Sequence, residues 1–412
     1  MIVEGTIVGR MRLMRLTGPM RLIGHIGLMG LMGLIGLTGC SGDATVEPME
    51  PEVDRSVPIA LTGYARDYEV SESSEASESN RASKANGFTR AWTPPTGYSV
   101  PVGLKSIGGY FTKDGSDPEA RRFWYTSSGW RIDEEVTSGA YQLYGYSPYN
   151  ACESSSIVAN GTYAAGAVLT LTGLDAVSAK DVCIIVGAKE GTGTETVSEL
   201  NIGKFDCTMN SGESSTNHLF LLMEHLYAAV QFRFILNSAY HELRRIHLKK
   251  LVLMAYSDAS YTTPVSKSTN ATVTLLANES GTSPIQSISF SVPSGEDMQE
   301  LTFFEGDEEI PTSTGTEGQI CYVPNILSDY YYKLKSTYDV YDRKGNLIRP
   351  NCEAENDIGR VYTLFTDEQR AAAASDRGRG KKYTVRLTVN PTYLYQLSEP
   401  DLDNPTVELG DS

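Results

Sequence analysis

The stretch HLFLLMEHLYAAVQFRFIL, residues 218–236, decides what kind of protein this is. Its second half alternates, with Val230, Phe232 and Phe234 on one side and Gln231 and Arg233 on the other, the period-two signature of a strand with one buried face. Its first half is apolar almost throughout and fits a helix as readily as a strand. The segments on either side favour strands. Upstream come VGLKSIGGYFT, RFWYTSSGWRI, GAYQLYGYSPY, GAVLTLTGL and DVCIIVGAK, and downstream LKKLVLMAY, NATVTLLA, ISFSVPS, YYKLKSTYDVYD and KYTVRLTVNPTYLYQL. Gly, Ser, Asp and Pro turn signals separate them, and few segments hold a helical period beyond ten residues. The fold class is all-β. In the last segment Tyr383, Val385, Leu387 and Val389 share one face. A Ser/Thr/Gly-rich patch around 208–217 marks a division into two β arrays.

The first 39 residues are of another kind. Arg10, Arg12, Arg15 and Arg21 precede an uncharged run, Leu22–Gly39, that stops at Cys40. A basic region, an apolar region and a small residue before the cut make a secretory signal. A spanning helix is the competing reading. Glycine at every third position from 24 to 39 disfavours a helix, at about 1 kcal/mol each against alanine, and no basic cluster follows. The ending Leu37-Thr38-Gly39-Cys40 resembles the lipobox of bacterial lipoproteins. That resemblance implies diacylglycerol on the Cys40 thiol, cleavage before it, and anchorage in outer-membrane lipid through Cys40 acylation.

Loss of residues 1–39 removes four arginines and Glu4, so the formal charge moves from −16 to −19. Such a chain repels phosphate backbones, which excludes nucleic acid as a partner. Residues 40–55 form an acidic, lipidated tether. SVPIALTGY at 56–64 alternates with Val57, Ile59 and Leu61 on one face, and Pro58 directs it to a sheet edge. The segment from 66 to 90, with SESSEASESNRASKANGFTR at its heart, reads as an exposed loop.

Catalytic and metal patterns fail on spacing. HELRRIH at 241–247 lacks the second histidine four residues after the first that a zinc-protease helix requires; Arg245 stands there, and His247 falls on another face. His218 and His225 read as satisfied structural histidines, and Asp307-Glu308-Glu309 as a solvated loop. No phosphate loop or GxSxG elbow is present, so the expectation is no enzyme, no cofactor and no metal. Cys152, Cys183, Cys207, Cys321 and Cys352 include no CxxC pair; Cys183 reads as a buried strand thiol, and a Cys321–Cys352 disulfide stays open. Tyr141, Tyr144, Tyr146 and Tyr149 could form a sugar-binding platform, although most are expected in the sheet core.

In their order along the chain, TRAWTPPTGYS (89–99), GAYQLYGYSPY (139–149), DVCIIVGAK (181–189), HLFLLMEHLYAAVQFRF (218–234), LKSTYDVYDRKGNLIR (334–349) and VNPTYLYQLSEPDLDNPTVEL (389–409) resemble the fimbrillin family, the type V pilins of Gram-negative anaerobes. The resemblance implies two transthyretin-like β-sandwich domains, placed at 56–210 and 211–412. It also implies a fimbrial subunit, pilin or accessory pilin, serving adhesion. In such pilins an arginine-specific protease cuts the loop after the first strand, that strand leaves, and another subunit's strand fills the groove. Here the plug is Val57, Ile59 and Leu61, and the cut lies between Arg90 and Ala91, with Arg66 and Arg81 as alternatives. The donor strand, within 383–397, is Tyr383, Val385, Leu387 and Val389, extended by Tyr393 and Tyr395. Partners are then other pilin subunits and a host or bacterial surface ligand. The alternative is a non-polymerising surface lipoprotein that binds glycan.

Overall fold

The computed structural model describes residues 60–70, 97–99, 101, 104–113, 116–127, 129–134, 136–175, 178–191, 202–209, 218–265, 268–291, 300–313, 316–324, 330–360, 378–390 and 406–409. Cys40, Val57, Ile59, Arg81, Arg90, Ala91, Tyr393 and Tyr395 lie outside them, as do the signal and the tether. Among the described residues no helix is long and apolar enough to cross a membrane.

The fold is all-β, and the strands among the described residues form four sheets. The largest runs in the order Tyr98–Ser99, Ala60–Arg66, His218–His225, Cys183–Gly191, Gly139–Ser147, Ser106–Thr112, Glu119–Thr126 and Gly129–Ile132, with Asp206–Met209 also on Gly139–Ser147. It curls until Ala60–Arg66 approaches Gly129–Ile132. Inside the curl Leu61, Ile107, Phe111, Phe123, Leu143 and Leu221 close one core. On its outer face Tyr110, Tyr144, Tyr146 and Ile184 pack against Leu169, Leu171, Val273 and Leu275. Those last four come from a second sheet, ordered Ile285–Ser291, Ser268–Leu276, Thr162–Asp175 and Ser154–Asn160.

A third sheet holds Thr316–Val323, Ala228–Leu236, Lys381–Asn390 and Glu69–Val70, with Thr406–Leu409 also on Lys381–Asn390. It faces a fourth, ordered Glu300–Glu309, Arg245–Tyr256, Tyr331–Tyr341 and Leu347–Gly359. Val230, Phe232 and Phe234 meet Leu251, Leu253, Leu334 and Val340 in the core between them.

The ribbon 218–236 contributes to both halves. Its first part is a strand, not a helix, and its continuous hydrophobicity has a physical cause. Leu219, Leu221 and Met223 enter the curled core, while Phe220 and Leu222 enter a separate cluster on the opposite face. A strand covered on both faces has no use for polar alternation. Ala228–Leu236 has one covered face and so alternates. The sheets do not separate at residue 210: His218–His225 joins the sheet of the N-terminal array, and Ser268–Leu276 pairs with Thr162–Asp175. Cys321 and Cys352 are both buried in one core, and both are free thiols.

Gly145 shows how tightly the first sheet is packed. A Cβ there would collide with the Gly108 carbonyl and lie 3.0 Å from Ile185 Cδ1 and 3.1 Å from Gly109 Cα. Gly145→Ala is therefore expected to destabilise the protein by about 1–3 kcal/mol, the cost of overpacking, read by chemical denaturation. Ala at Gly161, where no atom lies within 4 Å, strains only a positive φ.

Candidate functional site

The first strand, Ala60–Arg66, is placed by simple alternation. Leu61 and Ala65 point into the curled core and Tyr64 into the opposite cluster with Phe220 and Leu222. Between them Gly63 leaves room for its neighbours, since a Cβ there would lie 2.7 Å from Leu104 Cδ2 and 2.9 Å from Met223 Cε. Thr62 Oγ1 and His218 Nε2 hydrogen-bond at 2.9 Å. The backbone pairs in parallel with the ribbon from Ala60 opposite His218 to Ala65 opposite Met223. On the outer side, among the described residues, only Ala65 and Arg66 are paired, to Ser99 and Tyr98.

Three strand pairings among the described residues are parallel: the first strand with His218–His225, Lys381–Asn390 with Ala228–Leu236, and Glu69–Val70 with Lys381–Lys382. Parallel neighbours cannot be joined by a tight hairpin, so each pairing brings together distant segments. The first strand and the strand Lys381–Asn390 thus lie along successive halves of one ribbon.

They meet where the ribbon changes sheets. Glu69 N–H donates to the Gly380 carbonyl at 2.9 Å, and Gly380 N–H donates to the Tyr227 carbonyl at 3.0 Å. Beside this point Glu224 is 2% exposed. Its carboxylate receives Arg379 Nη1 at 3.0 Å and the Ser283 hydroxyl at 2.8 Å, and Arg66 Nη1 stands 3.7 Å away. A charge so deeply buried is tolerable only with such partners.

His225 lies next to it. Its Nε2 donates to the Arg66 carbonyl, so the ring grips the end of the first strand. Its Nδ1 is 3.0 Å from Asp181 and 3.5 Å from Cys183 Sγ. Tyr68 stacks on the imidazole with ring centres 3.7 Å apart, and its hydroxyl donates to Asp181 Oδ1 at 2.8 Å. Burial, reinforced by Asp181, holds the Tyr68 hydroxyl protonated far above its ordinary range. Burial likewise raises the Cys183 thiol well above its usual value. Within the expected loop 66–90, Arg66 instead ends a strand and Glu69–Val70 forms another.

The remaining candidates separate clearly. Leu61 lies in the curled core. Tyr383 is fully buried in the other half, and its strand runs opposite Val230, Phe232, Phe234 and Leu236 at positions 383, 385, 387 and 389. Thr406–Leu409 pairs with its far end, Leu387 opposite Leu409 and Val389 opposite Val407. The residues 61 and 383–389 are therefore not one site, but lie on two consecutive stretches of one scaffold.

Tyr141, Tyr144 and Tyr146 are buried, and Tyr149 is the exposed member, with the Arg122 guanidinium 4.9 Å from its ring centre. A four-tyrosine sugar platform is not formed. His241 and His247 pair with the carboxylates of Glu309 and Asp307 at 3.3 and 3.0 Å. Those acids belong to the strand Glu300–Glu309 rather than to a loop.

Sequence reasoning missed the cluster of Asp181, Glu224, His225 and Arg379. Its signals are faint but physical. Glu224 is a lone acid in an apolar run that is covered on both faces, and Asp181 and Cys183 share one side of an extended chain.

No family model matches this chain, and no curated protein does. Among solved structures, it is similar to a Bacteroides fragilis protein provisionally assigned to cell adhesion, at 9% identity and TM-score 0.37, over 86% of this chain and 97% of that one. It is similar also to a fimbrial protein from Bacteroides vulgatus, at 12% identity and TM-score 0.35, over 74% and 91%. A further similarity is to the fimbrial anchor protein Mfa2 from Porphyromonas gingivalis, at 11% identity and TM-score 0.24, over 85% and 95%. Likenesses this remote carry no weight in assigning a role.

Proposed function

We propose that this chain is a structural subunit, pilin or accessory pilin, of a cell-surface fimbria that serves adhesion. It is exported as a lipoprotein, with Cys40 acylated and held in the outer membrane. An arginine-specific protease then cuts between Arg90 and Ala91, the first strand departs, and a strand of another subunit takes its place. The two arrays act as two transthyretin-like sandwiches sharing the ribbon 218–236. No catalysis, cofactor or nucleic acid enters this role.

The seating of the first strand supports it. Ala60–Arg66 is parallel to its neighbour, paired on its outer side only at its end among the described residues, and buried on both faces, by Leu61 and Ala65 in the curled core and by Tyr64 in the opposite cluster. Removing it bares a row of backbone N–H and C=O groups beside an apolar trench, which a second chain can fill by β-augmentation. Arg66 is a poor place for the cut, because its carbonyl is held by His225 and its guanidinium lies between Glu69 and Glu224.

A cut after Arg90 has a second effect. The departing peptide carries Glu69–Val70 as well, so Lys381–Lys382 lose an edge partner when the groove opens. One cleavage thereby frees an acceptor edge at His218–His225 and loosens the start of the donor strand Tyr383, Val385, Leu387 and Val389. That strand must leave its own sheet to be donated, and Thr406–Leu409 restrains its far end until then.

Mass spectrometry of surface-derived material reads the first residue and the acyl groups together. Filaments should contain chains that begin at Ala91 and carry no lipid. Filaments whose chains all begin at acylated Cys40 would overturn this reading.

A further inference from the structure

We propose that Asp181, Cys183 and His225 form a binding site for a zinc-class divalent cation. Their ligand atoms lie within 4.8 Å of one another. Asp181 and Cys183 are two residues apart in extended chain, on one side, and Cys183 stands directly opposite His225 across the antiparallel pair. The arrangement therefore comes from backbone register rather than from mobile side chains.

The hydrogen bonds around the ring carry the case. The Arg66 carbonyl can only accept, so Nε2 of His225 bears a hydrogen. In the neutral imidazole Nδ1 then presents a lone pair, 3.0 Å from an Asp181 oxygen that also presents lone pairs. Two acceptors at that distance require a proton or a cation between them. Cys183 Sγ, 3.5 Å from the same nitrogen, brings a soft third ligand. Tetrahedral zinc bonds of about 2.0–2.3 Å set neighbouring ligand atoms roughly 3.3–3.7 Å apart; the two separations from Nδ1, 3.0 and 3.5 Å, lie close to that, and none of the three exceeds 4.8 Å. A backbone carbonyl on the far ring nitrogen is the usual support of a metal-binding histidine. Tyr68 performs the same service for Asp181 by donating to Oδ1, and both carboxylate oxygens lie 3.0 Å from Nδ1.

Charge balances on exchange. Without the cation, one proton lies between the facing atoms of Asp181 and His225 and another on the Cys183 thiol, and the three groups sum to zero. Binding M²⁺ releases both protons to solvent, and M²⁺ with carboxylate, neutral imidazole and thiolate again sums to zero. No net charge is buried, and the low dielectric favours the tight pairing. Thiolate, imidazole and carboxylate together suit zinc over magnesium or calcium, with water completing the coordination. Bound cation would fix the ring that holds the end of the first strand. The binding itself does not depend on the strand's removal.

Cobalt(II) added to the full chain should give a sulfur-to-cobalt charge-transfer band in the near ultraviolet with tetrahedral visible bands, and zinc should bleach both. Cys183→Ser should abolish the charge-transfer band, and Cys152→Ser should leave it. Cys183 is buried, so Asp181→Asn, at a partly exposed side chain, supplies a folded variant. It should weaken cobalt binding at least about tenfold, since even supporting residues of metal sites cost that much. Absence of a sulfur band at saturating cobalt, its survival in Cys183→Ser, or unchanged affinity in Asp181→Asn would each refute the site. Filament assembly that fails while the band persists would count only against the fimbrial role.

Discussion

Oxidised Ala65→Cys/Ser99→Cys protein is expected to form no filaments after arginine-specific cleavage, and reduction is expected to restore them. Ala65 and Ser99 are directly opposed in an antiparallel pair, a separation of about 4.5–5.5 Å that suits a disulfide. Under the proposed cut after Arg90, Ser99 stays with the body, whereas Ala65 lies on the peptide that would depart. The bond thus tethers the first strand after the backbone is cut. Leu61, Tyr64 and Ala65 are each less than 5% exposed, and a large apolar side chain stabilises by about 1.5–3 kcal/mol when fully buried. In the proposed exchange, an incoming strand must replace several kcal/mol. A covalently tethered occupant returns to the groove far faster than another chain can enter it, as effective concentration dictates. Filament yield, read by electron microscopy and sedimentation, should fall at least about tenfold between reduced and oxidised samples. Equal yields would show that the first strand is not what a neighbour displaces.

The second large effect is expected at Glu224. Glu224→Gln should destabilise the protein by about 3–5 kcal/mol in denaturant titration, the usual cost of breaking a buried ion pair from one side. The carboxylate is 2% exposed and sits between Arg379 and Arg66. Substitution leaves Arg379, itself partly buried, facing a neutral amide. Arg379→Met added to Glu224→Leu should recover most of the loss, because a well-packed apolar pair avoids desolvation altogether. A Glu224→Gln change costing under about 1 kcal/mol, the value of an exposed pair, would mean that water reaches this junction. Under the proposed cut after Arg90 the same residues bear on assembly, since Arg66 would leave with the first strand and Arg379 would remain.

The structure also refines the alternatives to a fimbrial role. Tyr144 and Tyr146 alternate with Leu143 and Gly145, and the alternation correctly places them on one face. It does not tell which face is wet, and here neither is: the curled core takes one and a second sheet the other. His241 and His247 look like a failed zinc motif by spacing and prove to be partners of Glu309 and Asp307, acids on the strand that pairs with Arg245–Tyr256.

From residue order alone, the all-β class, most of the strands, the burial of Cys183 and the placing of Tyr144 and Tyr146 on one face are legible, because alternation and turn residues act over a few neighbours. The duplex nature of 218–236 is not, since a run covered on both faces loses its period and resembles a helix. Nor is the junction of Asp181, Cys183, Glu224, His225 and Arg379 foreseeable, because it is assembled from segments up to about 200 residues apart. Strand pairing fixes which distant residues become neighbours, and pairing is chosen by the joint burial of whole sheets. Only the tertiary structure could place the first strand and the strand Lys381–Asn390 along one ribbon and bring a charge, a thiol and an imidazole to the place where they meet.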